Sequence, residues 1–130
     1  MAPNIHQLVS RLAAPASRAS EAAKIAAEVG AEALVILLHD EAIGALTPAP
    51  GFPQTLPGGP TWRAFLKDQH SLGAMETELP FPSSDEPKLA LAFVERETVF
   101  MLIGGDPSFD VREFADAPLL GALLRAEAEQ

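Results

Sequence analysis

The run Ala33-Leu34-Val35-Ile36-Leu37-Leu38 is apolar at every position. Successive side chains of a strand point to opposite faces, so a strand of this composition is covered on both sides and sits at the centre of a sheet. Residues 88–94 and 98–103, joined by Glu95-Arg96-Glu97, repeat the pattern as a hairpin. Leu89, Leu91 and Phe93 share one face of its first strand, and Val99, Met101 and Ile103 share one face of its second. Both strands are largely apolar on both faces and are also predicted to be central. Met75, Thr77 and Leu79 alternate with Glu76 and Glu78, which predicts a strand with one wet face.

Around these strands the punctuation is legible. Ile5, Leu8, Val9 and Leu12 fall on one helical face, and Pro15 interrupts it. A second helix is expected over 16–29, with the stripe Ala22, Ile25, Ala26 and Val29, stopped by Gly30. Its small alanines admit close approach of the sheet or of a second subunit. His39-Asp40-Glu41 predicts a turn, and 43–47 an antiparallel return ended by Pro48 and Pro50. The Pro/Gly-rich stretch to Pro60 reads as a functional lid or as a stiffened surface excursion. Gly59-Pro60-Thr61 starts a helix carrying Trp62, Phe65, Leu66 and Gln69 on one face and ending near His70. Asp110 and Glu113 resemble a capping box for a short turn at 111–115. Pro118 opens the last helix, with Leu119, Leu120, Leu123 and Leu124 on one side. It reaches Gln130 without a stop signal, which predicts a continuation into a longer parent protein. The expected division is an N-terminal helical extension over 1–15 and a domain over 16–130. The class is α+β, with about five antiparallel strands.

Composition removes several functions. Nine basic against eighteen acidic side chains leave a formal charge of −9, so nucleic acid and anionic membrane surfaces are poor partners. Cysteine is absent, which excludes disulfides, thiolate catalysis, cysteine zinc sites and thioether-linked chromophores and fits a cytoplasmic location. No window approaches the ~20 apolar residues of a membrane-spanning helix. His6, His39 and His70 lie in different elements without paired metal-ligand spacing, so no metal is expected. Neither a G-x-S-x-G elbow nor a phosphate-binding loop is present. Ser83-Ser84-Asp85-Glu86 has no paired histidine, and Glu76 with Glu78 reads as an exposed acidic face. No catalytic residue and no cofactor is expected.

The element order, with the 33–40 strand and its acidic turn, the 44–59 loop, the Trp62–Gln69 segment, Leu89-Ala90-Leu91-Ala92-Phe93-Val94 and Asp110-Val111-Arg112-Glu113-Phe114, resembles a GAF domain over roughly residues 20–130. The run Leu46-Thr47-Pro48-Ala49-Pro50-Gly51-Phe52-Pro53 is similar to N-terminal sensor domains of bacterial signal-transduction histidine kinases. The resemblance implies a PAS/profilin-like sheet with the N- and C-terminal helices packed on one face. It also implies a non-catalytic regulatory module that binds a small ligand or partner and passes the signal through its C-terminal helix to an output domain. The thiol of bilin-binding and oxidoreductase relatives is missing, as is the cyclic-nucleotide pattern.

Trp62, Arg63, Phe65 and His70 on the covering helix, with Phe93 and Met101 on the sheet, read as lining a small-molecule pocket. The alternative reading makes Trp62 and Phe65 ordinary core, with Arg63 in solvent. The rival from another class is a ligand-free homodimerisation module of PAS- or roadblock-like fold, paired through Leu8, Leu12, the Ala22 to Val29 stripe and Leu119 to Leu124.

Overall fold

In the computed structural model, which describes residues 4–40, 42–52, 60–67, 73–81, 87–95 and 97–129, five strands form one antiparallel sheet. They are β1 (Ala33–Asp40), β2 (Ala45–Pro48), β3 (Gly73–Pro80), β4 (Pro87–Glu95) and β5 (Thr98–Ile103). Their spatial order is β2-β1-β5-β4-β3. β5 is buried at every position and β1 pairs beside it, as continuous apolar runs require. β3 alternates and is an edge, with Ala74, Glu76 and Glu78 exposed.

Four helices cover the two faces: α1 (Ile5–Leu12), α2 (Arg18–Val29), α3 (Pro60–Lys67) and α4 (Pro118–Ala128). Leu34, Ile36, Phe100 and Leu102 meet Leu8 and Leu12 of α1, Ile25 and Val29 of α2, and Leu120 and Leu124 of α4. Phe114, from a 3-10 turn at Val111–Asp116, stacks on Phe100 with ring centroids 4.8 Å apart. Leu37, Val99, Met101 and Ile103 face the other way, toward Trp62 and Phe65 of α3. The chain is therefore α+β, with the terminal helices on one face of an open sheet and α3 on the other. Among the described residues no helix is long and apolar enough to cross a membrane.

Several local expectations shift. His39 and Asp40 do not turn; they extend β1 and pair with Leu46 and Ala45. The reversal comes later, where Asp40 Oδ1 accepts the Ala42 amide and the Asp40 carbonyl accepts that of Gly44. Pro48 closes β2 from within, because an edge strand can spare its missing N–H. Asp110 caps its turn through the Arg112 amide. The N-terminal segment contributes Ile5, Leu8 and Leu12 to the same core as α2 and α4, and Asn4 with Gln7 forms a capping box at its start. The 53–59 part of the proline-rich loop, the helix end expected near His70, Glu41, and Ser83 to Glu86 lie outside the described residues.

One buried cation joins three separate pieces. Arg18 opens α2 with none of its surface exposed. Its Nε donates to the Leu12 carbonyl at 2.6 Å and Nη2 to that of Ala13 at 3.0 Å, serving the last carbonyls of α1. Nη1 donates to Pro50 O at 2.7 Å, and Nη2 to Glu127 Oε2 at 2.8 Å at the end of α4. Gly51 lies against this side chain at φ +87°; a Cβ there would sit 3.2 Å from Arg18 Cβ and Cδ. At the surface, Arg11 clasps α1 to α2. Its Nε lies 2.7 Å from Glu21 Oε1 and its Nη2 2.8 Å from Glu28 Oε2.

Arg18→Met keeps an apolar stem but strands three carbonyls and the Glu127 carboxylate. The expected cost is about 3 kcal/mol in denaturant unfolding. Glu127→Gln retains the carbonyl bonds and should cost about 1 kcal/mol. Equal losses in the two variants would contradict the central role given to the carbonyl bonds.

The hydrogen bonds from Arg11 hold the Glu21 and Glu28 carboxyls below their ordinary 4.5. A carboxyl depressed in the folded state stabilises fully above its unfolded value, and that stability is lost as pH falls through the folded one. The unfolding-midpoint gap between the wild type and Arg11→Leu should therefore close as pH drops from about 6 to about 3. A gap that stays constant over that range counts against the clasp.

Candidate functional site

On the face opposite the terminal helices, α3 touches both edge strands, β2 and β3. Pro60 begins this helix, and Trp62 and Phe65 lie on its inner face because they are three residues apart. The Trp62 indole N–H donates to the Pro80 carbonyl at the end of β3. Its ring meets Phe65 edge-on at 6.2 Å. Trp62 is 1% exposed, Phe65 6% and Met101 0%. These three sequence-predicted residues are brought together, and their own side chains pack this face. Arg63 is exposed on the outer side of α3. Phe93 is separated from the group by the sheet, because it pairs with Phe100 and shares the face covered by the terminal helices. The alternation that buries Ala92 and Val94 toward Trp62 turns Phe93 the other way. His70 lies outside the described residues.

Two clefts flank α4 instead. One, of about 780 Å³, runs between the ends of β1 and β2, the 50–52 segment and the last turn of α4. Asp40, Glu97, Glu127 and Glu129 line it, with His39 and Arg125. Glu127 is already engaged by Arg18. The second, of about 560 Å³, lies between α4 with the preceding 3-10 turn and the ends of β3 and β4. Phe93, Ala115 and Pro118 form its apolar wall, the Val94 backbone borders it, and Glu95 and Arg125 are its charged groups. Both clefts are open to solvent at the surface.

Arg125 belongs to both clefts. Its Nη1 donates to Thr98 Oγ1 at 2.8 Å, and Thr98 is 1% exposed at the start of β5. Gly121, one turn earlier, makes the space for this. A Cβ there would lie 3.2 Å from Arg125 Nη1 and 3.3 Å from Thr98 Oγ1. Arg11, Arg18 and Arg112 each hold a carboxylate, whereas Arg125 holds none among the described residues. A half-buried guanidinium with most of its five donors uncommitted suits the recognition of an acid group.

Among the described residues no three His, Asp or Glu side chains gather as a metal site would need. No buried side-chain nitrogen or oxygen there lacks a hydrogen-bond partner. Of the cleft residues, sequence reasoning reached only Phe93, and placed it on the wrong side of the sheet. A lone arginine in a Leu/Ala helix, four residues after a glycine, was the available signal for Arg125. Nothing local ties it to Thr98, which is 27 residues away. No protein-family model, no curated protein and no solved structure matches the chain.

Proposed function

We propose that the chain is a non-catalytic, GAF-like sensory domain of a signal-transduction protein of histidine-kinase type, in which a small ligand alters the seating of α4. The observation that carries this is the pair of clefts on either side of α4, which share Arg125. Leu120 and Leu124 pack α4 on the sheet, and two polar ties hold it, Arg125 to Thr98 and Glu127 to Arg18. An occupant of either cleft would touch the same residue that fixes the helix. The element order and the grouping of α1, α2 and α4 on one face also support the reading.

A second reading, a homodimerisation module, has one observation in its favour. Leu8, Leu12, Leu120 and Leu124 are spent in the core, as is the stripe of α2. Leu119 remains 79% exposed and Leu123 38% exposed, and with Ala122 and Ala126 they form an outer apolar face of α4.

Thermal-shift screening of a metabolite library, followed by amide hydrogen exchange, tests the first reading. A ligand at a hundredfold its Kd should stabilise by about 2.7 kcal/mol and change protection along α4. No stabilising compound, or a stabilising compound that leaves α4 protection untouched, overturns it. Sedimentation equilibrium separates the second reading: a concentration-dependent dimer lost in Leu119→Glu supports it, and a monomer at high concentration removes it.

A further inference from the structure

We infer that the cleft beside Phe93 is a binding site for a small zwitterion with an apolar side chain, of the α-amino acid class, with Arg125 taking its carboxylate and Glu95 its ammonium. The inference rests on the sensory reading above and names the ligand for it.

The geometry begins with strand register. Glu95 is the direct cross-strand partner of Thr98, so their Cα atoms lie about 5 Å apart and their side chains share a face. Arg125 Nη1 sits 2.8 Å from Thr98 Oγ1 on that same face. A carboxylate and a guanidinium thus converge at the rim of one cleft. Among the described residues neither is ion-paired, although oppositely charged neighbours in this chain otherwise pair readily. The Thr98 hydroxyl, itself buried, draws the guanidinium along α4, in the space that Gly121 leaves open.

The charge pair selects the ligand. A simple anion would meet Glu95 as well as Arg125, and a simple cation would meet the reverse. A zwitterion satisfies both, and its ammonium and carboxylate sit a few bonds apart. Phe93 and Pro118 supply an apolar wall for the side chain. Charge-assisted hydrogen bonds at both ends would set orientation, and the wall would set preference among side chains.

Amide chemical-shift titration of the full chain tests this with L-leucine and L-phenylalanine, and with phenethylamine and hydrocinnamate, which each lack one charge. Saturable shifts at Phe93, Glu95, Thr98 and Arg125 are expected with the amino acids. Each single-charge analogue should bind about tenfold more weakly or worse. Arg125→Gln and Glu95→Gln should each weaken L-phenylalanine binding to a similar degree, with thermal unfolding midpoints showing that both variants fold. If Arg125→Gln does not fold, Glu95→Gln and the analogue series still decide. Absence of amino-acid binding at millimolar concentration overturns the inference. So does hydrocinnamate binding as tightly as L-phenylalanine with no loss in Glu95→Gln, which would mark an anion site. Shifts confined to the Trp62 face overturn it as well. Binding here without altered exchange in α4 would keep this site and remove the sensory reading. A different library compound that protects α4 would do the opposite.

Discussion

The guanidinium of Arg18 holds together pieces of chain that lie far apart in sequence. It accepts no compromise in its surroundings, since a buried cation without partners would cost several kcal/mol. Its donors therefore dictate where the last turn of α1, the Pro50 carbonyl and the end of α4 must lie. Gly51 follows from the same demand, because the backbone crosses the arginine stem too closely for a side chain. Most of the remaining contacts on this face are apolar and non-directional, with the Arg11 clasp and the Arg125–Thr98 bond as further polar ties. The directional bonds of one residue set the relative placement of three elements that leucines alone would hold only loosely.

That arrangement gives α4 its character. Its inner leucines are committed to the sheet, but its polar ties are few and lie at its C-terminal end. Glu127 is tied to a buried partner, whereas among the described residues Arg125 holds only a neutral hydroxyl between two open clefts. One tie is structural and deep. The other is shallow and exchangeable, since a carboxylate is a stronger acceptor for a guanidinium than a threonine hydroxyl.

Much of the fold was legible along the chain. Residues 33–38 and 99–103 read as doubly covered strand segments because every position is apolar, and they form β1 and β5 at the centre of the sheet. Alternation from Met75 to Leu79 marked a strand with one wet face, which pairing places at an edge as β3, and Gly30 marked the end of α2, where it adopts φ +86°. The site was far less legible. Trp62, Phe65 and Met101 do lie together, as packed core, but Phe93 was assigned by hydrophobicity without its parity on β4. Strand parity is a property of register, and register is set by pairing with β5. Arg18 escaped notice because a single arginine at a helix start looks solvated until its partners from residues 12, 13, 50 and 127 are in place.

Local pattern therefore determined the kinds of elements, their order and which strands are central, because periodicity and turn chemistry act over a few residues. It also determined the strong negative charge and the absence of thiol chemistry, which are matters of composition. The sides of the sheet, the burial of Arg18, and the meeting of Glu95, Thr98 and Arg125 were decided in three dimensions. Each depends on residues distant in sequence arriving at one place, where a hydrogen bond of under 3 Å between Arg125 and Thr98 joins β5 to the last helix. No window along the chain contains that information.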